Sequence, residues 1–499
     1  MPETTPLPAD AERILARLDA LRATDAPTHG GRVLSYVYDP GLAALDELAA
    51  RAMRAVQPLN GLDPTTFPSV AAMERELVGF ARAMLHGDGD VVGNVTSGGT
   101  ESCLLAVKTA RDRWRTNGGT GTPRLVAPVT AHAAFRKAAA LFDLVFDGVP
   151  IDADSARLDA TRLLARLGDD VALVVVSAPA YPTGMLDPVA EVAAACAAHG
   201  IACHVDACFG GWILPWWPGA PLPAWDFRVP GVTSVSADAH KFGYAPKGAS
   251  VLLQRGRDRH RKQYFATTDW PGYPVVNPTL LGSKSAAPLA AAWAITQWLG
   301  ADGYARLAAQ CAAAAAHLAA VMADIDGLRL YGNPSGPALA VTADLRVPAA
   351  RRVDPHHWAD AVRQRGWLLQ QQPGYRQADG SALPTTTHLT ITPVTASVQD
   401  ALAAALTQAA DEVRGQPPAD ASAMLAALPA LPTGQLPDAA RSAALLASLG
   451  VLSPGGSIAL PATTAPLLAL LAAVPPALAE RLLIEVLARA VEPAAAPAG

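Results

Sequence analysis

The stretch Val171-Ala-Leu-Val-Val-Val-Ser177 constrains this chain more than any other. An unbroken, mostly β-branched run of this kind offers no polar face to water. It belongs to a strand covered on both sides, whereas a strand with one wet face would alternate apolar and polar residues. The covering layers are legible around it. Arg124 to Val129 and Ile201 to Asp206 have strand character, and Ser102 to Trp114 and Pro188 to Gly200 have helical spacing. This alternation, from Val91 to Leu253, predicts an α/β fold with a mainly parallel sheet, whose ligands lie at the carboxyl ends of the strands.

Three groups fall on that rim. Val91-Val-Gly-Asn-Val-Thr-Ser-Gly-Gly-Thr100 ends a strand and opens a helix. Glycines there let backbone approach an anion, and free amides at a helix start point at it, so Gly98, Gly99 and Thr100 suit a phosphate. It is neither a Walker motif nor Gly-x-Gly-x-x-Gly, and alone it is equally a plain strand–helix connection. Asp206 ends the strand Ile201 to Asp206, where aspartate is also a common turn residue. Lys241 lies in Ser234-Val-Ser-Ala-Asp-Ala-His-Lys-Phe-Gly243, a strand end running into a loop. A lysine held at a cleft can attack a carbonyl as a Schiff-base former, although a lone lysine is ordinarily a solvated one. One molecule needs all three groups: pyridoxal phosphate. Its phosphate needs the cradle, its aldehyde the lysine, and its ring nitrogen the carboxylate that keeps it protonated. The pairs His204-x-Asp206 and Asp238-x-His240 could instead ligate a metal, but no third ligand at helical spacing accompanies them.

The totals agree. The chain has 499 residues, enough for two or three structural units, and a net charge of −5. No basic patch marks a nucleic-acid or lipid surface. Five cysteines without Cys-x-x-Cys spacing, and an N-terminus that is not basic then apolar, predict reduced thiols in the cytoplasm and no secretory leader. No uninterrupted apolar run approaches the ~20 residues that span a bilayer.

At Thr96-Ser-Gly-Gly-Thr-Glu-Ser102, His204-Val-Asp-Ala-Cys-Phe-Gly-Gly211, Asp226 to Gly248 and Thr268-Asp-Trp-Pro-Gly272, the chain resembles sphingosine-1-phosphate lyases. These are members of the group II pyridoxal-phosphate decarboxylase superfamily, of fold type I. The resemblance runs from about Gly31 to about Pro393 in unbroken motif order. It implies a large domain with a mainly parallel sheet plus a smaller α/β C-terminal domain. It implies that Lys241 carries the cofactor, Asp206 pairs with its ring nitrogen, and His132 stacks on the ring. It further implies that Gly99 and Thr100, helped by His240, hold the phosphate, and that Tyr38 and Lys247 face the substrate. A homodimer with shared sites, acting on a small-molecule amine, is implied with them. The mammalian members carry an N-terminal membrane anchor; none is expected here.

The chain departs from the family pattern on the substrate side. The family's Asn-Pro-Leu-His-Pro is Asn60-Gly-Leu-Asp-Pro64, which puts Asp63 where a histidine would face the substrate. Gly-Ser-Arg-Pro-Gly is Gly282-Ser-Lys-Ser-Ala286, so Lys284 keeps the charge without bidentate recognition. A tyrosine after Asp-Trp-Pro-Gly-Gly-Ile is replaced by Gly272-Tyr-Pro-Val275, with Tyr273 nearby. The expected chemistry is retro-aldol cleavage of an amino alcohol, and the alternative is decarboxylation of an amino acid.

The expected organisation is an N-terminal segment over 1–60, a large cofactor domain over 61–300, a small domain over 301–414 and an Ala/Pro-rich helical extension over 415–499. Ala11 to Ala23 reads as an amphipathic helix, and Gly41 to Ala55 as another. Gly30 to Tyr38 reads as a glycine-led extended segment with Tyr36 and Tyr38 on one face. Ser69 reads as the cap of a helix to Met84, and Cys311 to Asp324 as an Ala-rich helix. His356-His357 reads as surface. The stretch from 415 shows no motif and an end that frays after Val491.

Overall fold

The computed structural model describes residues 8–427, 436–453, 458 and 461–493. Most of the tail after Val491, and residues 1–7 of the N-terminus read as leaderless, lie outside the described residues.

Seven strands form the main sheet: β1 Val91–Thr96, β2 Arg124–Pro128, β3 Val145–Val149, β4 Val171–Ser177, β5 Ala202–Asp206, β6 Ser234–Ala237 and β7 Ser250–Arg255. Their order is β1-β7-β6-β5-β4-β2-β3. β7 runs antiparallel to both β1 and β6, and the other neighbours are parallel. Two antiparallel steps restore direction, so β1 points the same way as β6. The carboxyl ends of β1, β2, β4, β5 and β6 therefore share one rim, which is where an open α/β sheet binds its ligands. Every residue of β4 is buried, as its unbroken apolar run requires.

A second, antiparallel sheet has the strands Leu328–Leu330, Ala338–Ala343, Thr386–Thr390 and Gln370–Gln372, with helices Pro355–Gln364 and Gln399–Val413 against it. One continuous hydrophobic core, from Leu34 to Val413, takes in both sheets. The two are joined by helix Ala287–Asp324, which kinks at Gly300 (φ 53°). That helix begins far upstream of Cys311. Gly300 and Gly303 look like breakers in sequence, but burial of Leu289, Ile295, Leu299 and Tyr304 holds the turns on either side of the kink. The expected division between 300 and 301 thus falls inside one helix. By length and composition this helix could cross a membrane, although no single apolar run does so; its Leu307, Cys311, Leu318 and Met322 are buried within the protein.

Other local expectations change. Gly30 to Tyr38 is irregular, joining the second sheet through an isolated bridge between Val33 and Leu368, and Tyr36 has a left-handed φ of 61°. The helix Pro68–Met84 starts on Pro68 after Phe67, and Ser69 makes no cap. Proline at the first helical position supplies the start itself. The first helix, Ala9–Arg22, exists, but its Ile14, Leu15, Leu18 and Leu21 are all exposed. His356 is buried rather than on the surface: its Nε2 lies 2.9 Å from the Gln372 carbonyl and 3.2 Å from that of Thr386.

Helices Ser422–Ala427, Ala439–Ser448, Ala465–Ala473 and Pro476–Ala490 make a separate small core around Leu445, Leu446, Leu470 and Leu482. They dock on the body through one carboxylate. Buried Asp360 accepts hydrogen bonds from the Thr464 amide (2.9 Å), the Thr464 hydroxyl (3.0 Å) and the Ala465 amide (2.9 Å), at the start of helix Ala465–Ala473. Gln371 joins from the second sheet, accepting from the Thr464 hydroxyl and donating to Asp360. Asp360→Ala leaves the Thr464 and Ala465 amides unmet, at a cost of about 1–3 kcal/mol. The expected outcome is faster proteolysis in the helices Ala439–Ser448, Ala465–Ala473 and Pro476–Ala490 while the main body stays folded, read by limited digestion with a denaturant titration.

Candidate active site

The rim carries a cavity of about 530 Å³. Its lining includes Tyr36, Tyr38, Gly98, Gly99, Thr100, His132, Tyr181, Asp206, Asp238, His240, Lys241, Lys247 and Gln370. All of the residues expected to hold the cofactor therefore meet in one space. Each arrives on its own strand end: the Gly98–Thr100 turn from β1, His132 from the loop after β2, Asp206 from β5, and Asp238 to Lys241 from the loop after β6.

Asp238 anchors the centre. It is wholly buried, and its Oδ2 lies 3.0 Å from the Lys241 ammonium and 3.4 Å from His240 Nε2. Burial works to raise its pKa, but the Lys241 charge overrides this and holds it far below the usual carboxylate range. Burial works on Lys241 in the opposite sense and is also overridden: the Asp238 carboxylate keeps the ammonium above its ordinary range. His240 Nδ1 accepts from the amides of Gly248 (3.3 Å) and Ala249 (3.2 Å), so its proton sits on Nε2, facing Asp238. His132 Nδ1 likewise accepts from the Ala134 amide, 3.2 Å away, which leaves Nε2 to carry a proton towards the cavity.

The cradle fits an anion because it has no side chains to obstruct it. A Cβ on Gly99 would stand 2.5 Å from Asp238 Oδ2 and 2.9 Å from Cys208 Sγ. The helix Gly99–Thr116 starts there, presenting free amides to the cavity. Asp206 sits at the end of β5 with its Oδ1 accepting from the Cys208 amide (3.1 Å) and the Ser236 hydroxyl (3.4 Å). His204, two residues earlier on the same strand face, is within 3.1 Å of Ser236 Oγ through Nε2; burial brings its pKa down to about 4, so it is neutral. A carboxylate, an anion cradle and a lysine around one cavity match the three ends of pyridoxal phosphate.

The substrate-side residues divide. Tyr38 is in the cavity, edge-on to Phe242 at 5.1 Å, and burial raises its phenol well above the usual range. Lys247 is exposed, but its ammonium turns inward, donating to the His240 carbonyl at 2.9 Å and lying 4.6 Å over the Tyr38 ring. Burial of that end, with the Lys241 charge nearby, brings its pKa down to about 8. Asn60, Asp63 and Lys284 do not reach this cavity. Asn60 Oδ1 accepts from the Leu62 and Lys284 amides, and Lys284 lines a neighbouring pocket of about 300 Å³. Asp63 is exposed and spends its carboxylate on its own turn, accepting from the hydroxyls of Thr65 and Thr66, which lower its pKa to about 2.

Sequence reasoning missed three members of the site. Asp238 was noticed only as a possible metal ligand. Gln370 donates to the Tyr36 hydroxyl (2.9 Å) and accepts from that of Tyr181, which ties both phenols across the cavity. No local signal marks Gln370, whereas Tyr181 follows the end of β4 and could have been inferred from that position. Asp187 lies behind the wall: its Oδ2 accepts from the Ser177 amide at 2.7 Å, and burial pushes its pKa up to about 7.

Gly99→Ala is expected to weaken cofactor binding at least tenfold (~1.4 kcal/mol) with the fold retained. Gly79→Ala, where a Cβ meets nothing within 4 Å, is expected to bind as the parent does. Equilibrium dialysis with pyridoxal phosphate checks both.

Residues 42–327 match the family model described as the pyridoxal-dependent decarboxylase conserved domain, and 419–489 match one for a C-terminal HTH domain of pyridoxal-dependent enzymes. The extension expected to carry no motif is thus a recognised domain. Sphingosine-1-phosphate lyase of Oryza sativa is 34% identical over 368 residues, 72% of this chain and 67% of the relative. That of Dictyostelium discoideum is 37% identical over 312 residues, 62% of this chain and 57% of the relative, so the chain spans less than two thirds of that relative's length. The structure of a sphingosine-1-phosphate lyase from Burkholderia pseudomallei superposes with a TM-score of 0.74 at 34% identity, covering 83% of this chain and 92% of the other. Glutamate decarboxylase of Lactobacillus brevis shares the fold, with a TM-score of 0.71 at 21% identity, over 84% and 96% of the two chains. With its lysine, carboxylate and cradle around one cavity, the chain belongs to the pyridoxal-dependent decarboxylase family and uses pyridoxal 5'-phosphate as its cofactor.

Proposed function

We propose that this chain is a carbon–carbon lyase that cleaves a phosphorylated amino alcohol to an aldehyde and a phosphorylated amine. The observation that carries the reading is Lys241 held against Asp238 in a cavity that also contains Asp206, with Lys247 inward-turned beside it. The sphingosine-1-phosphate lyases of the comparisons supply the substrate class.

Pyridoxal phosphate, when bound, supplies an aldehyde for an amine and a ring that takes up the electron pair of the broken bond. The chain supplies the rest. The amides at Gly98 to Thr100 and the ring of His240 would hold the cofactor phosphate. Asp206 keeps a proton on the ring nitrogen, and the His204–Ser236 hydrogen bonds fix its orientation. His132, lining the same cavity, would pack against the cofactor. Tyr38, its phenol held neutral by burial, donates a hydrogen bond towards the substrate. Lys241, its amine kept protonated by Asp238, returns a proton to the substrate carbon after cleavage. Lys247 offers a positive charge to the substrate phosphate.

A homodimer is part of this reading. Its support is that Asn60, Asp63 and Lys284 stand away from their own cavity and that Ile14, Leu15, Leu18 and Leu21 are exposed. A cytoplasmic location is supported by five free cysteines. Nucleic acid is not proposed as a partner: 419–489 contain three arginines and no lysine against four carboxylates, whereas phosphate backbones select basic surfaces.

Incubation with phosphorylated amino alcohols and with aromatic and acidic amino acids, assaying aldehyde against carbon dioxide, tests the reading. Aldehyde from the first set is expected, and carbon dioxide from the second would replace it with a decarboxylase. Lys241→Arg is expected to lose turnover by more than a thousandfold while staying folded. Lys241→Ala also leaves the buried Asp238 without its ammonium partner and with only His240 beside it, at a further cost of up to about 3–5 kcal/mol in stability. Because Lys247 carries its charge only below its pKa of about 8, KM for a phosphorylated substrate is expected to rise as pH passes from 7 to 9. In Lys247→Met the KM is higher and that rise is absent, as a pH series of initial rates would show.

A further inference from the structure

The wall of the cavity carries two thiols that the proposed reaction leaves unused. Cys103 stands near the start of helix Gly99–Thr116, and Cys208 follows Asp206 by two residues. Both are buried from bulk solvent and both line the cavity. Ligand atoms of Cys103, Cys208 and Asp206 all lie within 4.8 Å of one another.

Two sulfurs and one carboxylate oxygen, with a fourth direction open to a cavity, form a donor set for a tetrahedral, thiophilic cation. We propose that in the cofactor-free protein Cys103, Cys208 and Asp206 hold one divalent cation of the zinc class, and that this cation and pyridoxal phosphate exclude each other. The exclusion rests on the assignment of Asp206 to the cofactor ring: one carboxylate cannot serve both.

The surroundings fit such a site. Ser236 Oγ is 3.2 Å from Cys208 Sγ and 3.4 Å from Asp206 Oδ1, so one hydroxyl orients two of the three ligands. His204 Nε2 holds that hydroxyl in turn, at 3.1 Å. This is the supporting layer that metal ligands require. As the cation enters, the two thiol protons leave to solvent; two thiolates and a carboxylate then outweigh its charge by one, and the Lys241 ammonium nearby offsets the excess. The ligands come from two elements, a helix start and a strand end, which fixes their spacing before the ion arrives.

The test titrates full-length protein, stripped of cofactor, with Cd²⁺ and follows the ultraviolet band of thiolate-to-cadmium charge transfer. One ion per chain is expected, with a band of two-thiolate strength, and Zn²⁺ is expected to displace it. Cys103→Ser and Cys208→Ser are each expected to halve the band and weaken binding roughly tenfold or more. Protein reloaded with pyridoxal phosphate is expected to give no band. The fold of each variant is checked by its circular dichroism. Binding that survives in both variants would place the ion elsewhere, for instance on His132, and overturn the proposal. So would the absence of an ion, or its persistence in cofactor-loaded protein. Failure of the parent protein to take up pyridoxal phosphate would instead overturn the cofactor assignment, and is seen separately in the cofactor's own absorption.

Discussion

The site depends on one buried carboxylate. Asp238 has no exposure to water, and a charge so placed is tolerable only when it is paired. Its partners, Lys241 at 3.0 Å and His240 at 3.4 Å, come from its own loop, so that the loop after β6 closes around its own charge. The pairing also dictates what lies opposite. A residue with any side chain at position 99 would collide with the Asp238 oxygens, so the turn that starts the helix at Gly99 must be bare backbone there. Bare backbone at a helix start is also what a phosphate binds. The requirement of the ion pair and the requirement of the anion cradle thus select the same residue.

Around this centre the burial of polar groups follows a pattern. His204 is kept neutral by burial and holds Ser236, which in turn holds Asp206. Tyr38 is kept neutral for the same reason. Lys247 is the exception: burial of its ammonium, with the Lys241 charge beside it, places its pKa at about 8, and Asp238 raises it too little to offset them. Two lysines six residues apart in sequence therefore differ in charge behaviour: Asp238 pairs directly with Lys241 at 3.0 Å and outweighs its burial, whereas at Lys247 burial wins.

The second sheet has a part in the site through alternation along one short strand. Gln370 points to the cavity and ties Tyr36 and Tyr181, while its neighbour Gln371 points away and joins Asp360 and Thr464 at the docked C-terminal helices. The wall of the cavity and the attachment of the C-terminal domain are thus opposite faces of adjacent residues. The domain is short of basic residues and is held by a buried carboxylate, which suits a structural attachment to the enzyme body.

Much of this was legible from the chain in order. The buried run of β4 required helices on both faces, and strand ends carrying Gly98 to Thr100, Asp206 and Lys241 required a common rim, because period and strand direction are local properties. Three things were not local. Helix Ala287–Asp324 passes through Gly300 because neighbouring turns are buried on both sides of it. Gln370 belongs to the site because an antiparallel strand from the second sheet carries it there. Asn60 and Lys284 stand clear of the cavity because their two loops, far apart in sequence, bond to each other, while Asp63 is held by its own turn. Sequence by itself determined which groups the cofactor needs and on which strands they sit. Only the tertiary structure decided which of them meet, since burial and pairing between distant segments are set by the packed whole and not by any one stretch.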